Sequence, residues 1–245
     1  MTRSPEELLA LKIGERTVGE NLKRAVEAGK LIEDADGSLR FAKVGQRSAN
    51  WAMVPNGPPL DYLFLMYFAF RHAYARSAVP QGCSACYKVS VAPRTLRQLV
   101  AAWGIAKRIE CRSKWGVDLN NRLSQNIYAG YFFTDGLDMA RMIFRIAREA
   151  IDNDPILGSD IPMSIKRGCS EYEAALGPSD RYEFMPELAE LEEYLKTRFR
   201  VCKPPGLPPV PLVHWIDTAF RVGDDTYLDF TGGKRLRPAP VSYDP

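Results

Sequence analysis

Between residues 83 and 170 the hydrophobic pattern switches repeatedly between two periods. Tyr87, Val89 and Val91 alternate with Lys88 and Ser90, which predicts a strand over 87–92 that Pro93 stops. Leu96, Leu99, Val100, Trp103 and Ala106 recur at helical spacing and predict a helix over 95–109. A second short strand is expected over 114–119. A turn opened by Asn120, Asn121 and Arg122 follows, then a third strand over 126–133. A second strong helix is predicted over 138–151 and a fourth strand over 161–166.

This β-α-β-β-α-β order predicts an α+β chain whose core is ferredoxin-like, the split βαβ arrangement. It occupies an expected domain over 81–201. Residues 171–201 read as two helical pieces broken by Gly177, Pro178, Ser179 and Asp180, the second (187–199) a solvated amphipathic helix.

Upstream, residues 1–48 read as helix, helix, hairpin. Ser4 caps a first helix with Pro5, Glu6 and Glu7 in its first turn, and Leu8, Leu9 and Leu11 give it an apolar side. Thr17 and Glu20 form a capping box for a second helix carrying Leu22, Ala25 and Val26, which Gly29 ends. Asp34, Ala35, Asp36 and Gly37 turn between Leu31-Ile32-Glu33 and Ser38-Leu39-Arg40-Phe41. This stretch resembles the second half of a winged helix-turn-helix, which implies contact with DNA or RNA. The other reading is a small cap packed on the main domain. A linker is expected over 42–58, and residues 49–80 are expected to comprise the end of it and a helix over 61–75. That helix is crowded with Tyr62, Phe64, Tyr67, Phe68, Phe70 and Tyr74, so it must be buried; His72 near its end reads as structural. Residues 202–245 begin with a stiff, polyproline-like run through Pro211. After His214, Trp215 and Ile216 a hairpin is expected over 227–234, and 238–245 reads as irregular.

Composition adds little constraint. The 245-residue chain is 46% hydrophobic with a formal net charge of +3, which neither demands nor excludes a nucleic-acid partner. The longest apolar run, 62–70, falls far below the roughly 18 residues of a spanning helix, and the N-terminus lacks a leader-like apolar core. The expectation is a soluble cytoplasmic protein with no membrane partner.

Five cysteines, an odd number, fit a disulfide framework poorly and point to metal ligation or free thiols. Cys83 and Cys86 precede the first strand, Cys111 lies between the first helix and the second strand, and Cys169 follows the fourth strand. In the predicted topology all four positions fall at one end of the sheet, where the fourth strand neighbours the first. One close C-x2-C pair with two dispersed thiols suits a [4Fe–4S] cluster, with zinc as the alternative and unliganded redox thiols as the third reading. Lys88, Arg112, Lys114, Lys166 and Arg167 would offset the negative charge of such a site. Cys202 is either a spare thiol or a replacement ligand. With only two histidines and no Walker loop, no catalytic constellation is predicted.

Sheets of this kind offer one face for nucleic acid. Lys88 and Lys166 with Tyr128 and Tyr131 would form a stacking platform. The run from Tyr128 to Phe133 is similar to the aromatic third-strand motif of RNA-recognition domains, though without its basic residue or glycine order. Arg94, Arg97, Lys107 and Arg108 on the first helix, and Arg141, Arg145 and Arg148 on the second, add positive charge. The competing reading makes these arginines a solvated surface and lets the aromatic helix cover the sheet. The sequence therefore points to a non-catalytic, metal-bearing, nucleic-acid-binding subunit of a larger assembly with protein partners. The alternatives are an iron–sulfur electron-transfer or accessory subunit of an oxidoreductase, and a zinc-stapled protein-interaction module.

Overall fold

The computed structural model describes residues 3–43, 50–58, 61–119, 126–202 and 210–238. The turn expected at Asn120–Arg122, most of the proline-rich run (203–209) and the final residues lie outside them.

The largest sheet is five-stranded and antiparallel, in the order β5-β7-β8-β6-β9. Its members are β5 (Trp51–Val54), β6 (Cys86–Val91), β7 (Ser113–Val117), β8 (Tyr128–Asp135) and β9 (Met163–Arg167). Helix α3 (Leu96–Ala106) links β6 to β7, and α4 (Leu137–Asp152) links β8 to β9. The inward alternation puts Val89, Val91, Trp115, Val117, Tyr128 and Phe132 in one core with Leu96, Leu99, Ile105, Ile143 and Ile151. Both helices thus cover the same face. Gly130 makes this packing possible, because a Cβ there would stand 2.1 Å from the Trp115 ring.

The linker expectation over 42–58 is corrected in part, because Trp51–Val54 is an edge strand paired to β7. All four of its residues are apolar, so no alternation announced it. Residues 211–222 form a helix, α7 (Pro211–Val222), where the sequence suggested an extended run ending at Pro211 and no element around His214, Trp215 and Ile216. Proline at its first position and Gly223 in the left-handed region at its end (φ 77°) delimit it. Trp215, Thr218 and Ala219 are its buried stripe. The hairpin expected over 227–234 is a 3-10 turn, Asp225–Phe230, capped by the Asp224 carboxylate. Local hydrogen bonding from an aspartate won over the alternating pattern.

The N-terminal elements are α1 (Pro5–Leu9), the ribbon β1 (Lys12–Ile13) and β2 (Arg16–Thr17), α2 (Val18–Glu27) and the hairpin β3 (Leu31–Glu33) and β4 (Leu39–Phe41). The predicted capping box of Thr17 and Glu20 forms, and Ser4 with Glu7 makes a second one. Their apolar residues share a second core with Phe64, Phe68, Ala73 and Tyr74 and with Leu188, Leu191 and Leu195 of α6 (Leu188–Arg198). Helix α6 is therefore a packing element and not the solvated helix its charge suggested. The aromatic segment is helical as expected, but Leu63–Ala73 winds as a π-helix. A third, small core joins its Met66 and Phe70 to Cys83, Cys169 and Tyr172, the last from α5 (Ser170–Leu176). No helix among the described residues is long and apolar enough to cross a membrane.

Candidate functional site

The strand register assigns the second face of the sheet residue by residue. Val89 and Val91 turn toward α3 and α4, so Cys86, Lys88 and Ser90 turn away. Cross-strand partners share a face. Lys88 opposes Phe133 on one side and Lys166 on the other, and Ser90 opposes Tyr131 and Ser164. Tyr131 opposes Lys114, which opposes Met53. The face away from the helices therefore carries three lysines, Lys114, Lys88 and Lys166, on three different strands. Trp51, Tyr131 and Phe133 lie among them.

The lysines and rings are in contact. The Lys114 ammonium lies 4.2 Å from the Trp51 ring centre and 5.2 Å from that of Tyr131. The Lys88 ammonium lies 5.7 Å from the Phe133 ring. Trp51 and Tyr131 are themselves 6.0 Å apart and tilted by 50°. Rings of this kind offer π-faces to cations and to bases alike. Lys166 is bound to Glu173 and to Ser170. Lys114 has no carboxylate partner among the described residues. Burial, with the Lys88 cation beside it, pushes its pKa down to about 8.

At one end of this face lie three thiols. Cys83, Cys86 and Cys169 belong to the third core. Cys83 shares a hydrogen bond of 3.2 Å with the Tyr172 hydroxyl, and Lys88 donates to the Cys169 sulfur at 3.0 Å. Burial pushes the Cys83 thiol well up, and negative charge on Cys86 and Cys169 adds to the rise. Cys86 is raised by burial too, opposed by Lys88. For Lys88 burial disfavours the charge, but the Cys169 sulfur more than offsets it and its pKa is raised. The C-x2-C loop is held from behind by buried Glu192, which accepts from the Gln81 and Gly82 amides at 2.7 and 2.9 Å.

Cys111 does not join this group. It packs in the sheet–helix core and donates to the Phe133 carbonyl at 3.3 Å, with burial raising its pKa to about 11. Cys202 is exposed elsewhere. Among the described residues no three His, Cys, Asp or Glu side chains have the arrangement of a metal site. The shared end of the sheet thus brings three of the four expected thiols into one core, and each engages its own neighbours.

The expected nucleic-acid residues divide between the two faces. Lys88, Lys166 and Tyr131 share the lysine face. Tyr128 points the other way, buried with its hydroxyl on Asp224. Arg94, Arg97, Lys107 and Arg108 lie on or beside α3, and Arg141, Arg145 and Arg148 on α4, behind the sheet. Arg94 pairs with Asp160, Arg97 with Asp229, Arg141 with Asp138 and Arg148 with Asp152, while Lys107 stacks on Trp103. Sequence reasoning did not place Trp51, Lys114 or Phe133 on the platform, although alternation through Lys114 and Phe133 carried the signal for two of them. Compared with known protein families, characterised proteins and solved structures, the chain matches none.

Proposed function

We propose that this chain is a nucleic-acid-binding subunit that lays a single strand across the lysine face of its sheet. The observation that carries the reading is the Lys114 ammonium beside both the Trp51 and the Tyr131 ring, 4.2 and 5.2 Å from their centres. Cation and aromatic surface at one place match a strand of phosphates and bases. A duplex, whose bases are stacked on one another, would engage only the charges. The strand order and the two crossover helices support the ferredoxin-like reading, and α2 with the β3–β4 hairpin supports a winged-helix-like one.

The thiol end is the proposed seat of a metal, a [4Fe–4S] cluster or zinc. Cys83, Cys86 and Cys169 fit as donors in their shared burial and in the positive charge that Lys88 brings to them. Cys111 does not fit, because its sulfur is committed to the Phe133 carbonyl. A metal bound there would brace the C-x2-C loop against α5 and so hold that end of the face in place. Lys88 itself serves both parts, as partner of Cys169 and as phosphate contact.

The test is a fluorescence-anisotropy titration of single-stranded DNA and RNA oligonucleotides at low salt. Salt-dependent binding that the Lys88→Gln, Lys114→Gln double variant loses is expected. No measurable binding to either strand overturns the proposal.

A further inference from the structure

A cleft opens beside Phe70 of the third core. It has a volume of about 270 Å³ and is lined by Phe70, Arg71, Arg76, Glu171, Ala174 and Ala175. Two features of the chain meet at its rim. Ala75 and Arg76, consecutive residues without the freedom of glycine, both sit in the left-handed region at φ 48° and 65°. Each such residue costs of order 1 kcal/mol. The turn immediately follows the π-helix, a winding rare enough to mark functional segments. The surroundings enforce it: Asn21 donates to the Ala73 carbonyl at 3.0 Å, and the Arg76 amide donates to Phe70 at 2.8 Å.

The strain aims charge. Neither Arg71 nor Arg76 has an ion pair or a side-chain hydrogen bond among the described residues. The Arg71 guanidinium sits over the Tyr67 ring, 4.4 Å from its centre. His72, between them in sequence, is held below its ordinary pKa by burial and then by the charges of Arg71 and Arg76. Facing these cations is Glu171, which accepts from the Tyr62 hydroxyl at 3.3 Å. Ala174 and Ala175, both exposed, complete the lining with small side chains.

The geometry points to a binding site for a protonated phosphate, inorganic phosphate or a phosphomonoester, held by Arg71 and Arg76 and recognised by Glu171 through its P–O–H. Two guanidinium groups supply charge-assisted donors to phosphate oxygens. A carboxylate in the same cleft repels a bare anion and accepts only from one that carries a proton. Sulfate and the phosphodiester of a nucleic-acid backbone carry none at neutral pH. The site thus differs from the lysine face in chemistry, although Glu171 also acts electrostatically on Lys88 and Lys114.

The experiment is calorimetric titration of the full chain at about pH 6, near the second phosphate pKa, with four probes: inorganic phosphate, methyl phosphate, dimethyl phosphate and sulfate. Phosphate and methyl phosphate are expected to bind, with sulfate and dimethyl phosphate weaker by roughly tenfold or more, the worth of a charged hydrogen bond. Glu171→Gln should erase that discrimination, since an amide can donate as well as accept. Arg71→Gln should lose phosphate binding without a change in fold. Arg76→Gly should lose it while raising the melting temperature of the free protein, because it removes the guanidinium and the left-handed strain together. Equal binding of phosphate and sulfate by the wild-type chain, no phosphate binding, or binding that survives both arginine changes overturns the assignment.

Discussion

Lys88 on β6 donates to the sulfur of Cys169, which follows β9, at 3.0 Å, and its ammonium also lies 5.7 Å from the Phe133 ring. One side chain therefore joins the thiol end of the sheet to its aromatic face. Anything that changes the charge on Cys169 changes how much of the Lys88 charge remains for a ligand.

The neighbouring lysine sets the pH dependence of binding. Lys114 titrates at about 8 because burial and the Lys88 cation disfavour its charge. It is charged at pH 7 and largely neutral at pH 9. Oligonucleotide affinity is expected to fall across that interval, with the slope of log affinity against log salt dropping by about 1. Lys114→Arg, which stays charged, should hold its affinity to pH 9. A parallel fall in both proteins contradicts the assignment.

The thiols are separable by mutation. Metal analysis of protein purified without oxygen is expected to find iron or zinc that Cys83→Ser, Cys86→Ser and Cys169→Ser each lose. Cys111→Ser should keep it, since that thiol lies in the other core. Loss of metal in Cys111→Ser as well as in the other three would return the site to the four-thiolate form that the sequence suggested.

Glu192 should govern the C-x2-C loop and leave a signature in pH. Burial raises its pKa against the hydrogen bonds from Gly82, Tyr74 and Gln81. The folded chain then binds this proton more tightly than the unfolded chain. Its contribution to stability is present at low pH and is lost as pH rises from the unfolded value of 4.5 through the folded one. Glu192→Gln should flatten that decline in the melting temperature. Glu192→Leu strands two amides and the Tyr74 hydroxyl and should cost roughly 3 kcal/mol or more in chemical denaturation.

Gly130→Ala drives a methyl group into Trp115 at the centre of the main core. Overpacking of this kind costs about 1–3 kcal/mol, measurable by urea denaturation. Alanine at Gly104, with no atom within 4 Å of its Cβ position, should cost nothing and gain helix propensity.

The sheet was legible because its strands and helices each kept one period over a full element. Leu96, Leu99 and Ala106 marked α3, and Tyr87, Val89 and Val91 marked β6. The ends of those elements then brought Cys83, Cys86 and Cys169 to one place. Three things were not legible. Trp51–Val54 is apolar throughout, so its pairing with β7 is decided by tertiary packing. The π-winding of Leu63–Ala73 leaves no periodic trace in a segment that is apolar on every side. The separation of Cys111 depends on which side of the sheet its side chain takes just before β7, a matter of core space that spacing does not encode. The arginines were legible as charge; Asp138 and Asp152 lie at helical spacing from Arg141 and Arg148, but Asp160 and Asp229 become neighbours of Arg94 and Arg97 only in the fold.

The central claim is that the lysine face, and not the arginine-bearing helices, takes the strand. The most direct test is anisotropy binding of one single-stranded oligonucleotide to two double variants, Trp51→Ala with Tyr131→Ala, and Arg141→Ala with Arg145→Ala. Loss of stacking should weaken the first by about 1–3 kcal/mol per base released, with circular dichroism showing the fold retained, while the second should bind like the wild type. Binding that is lost in the second variant and kept in the first would contradict the account.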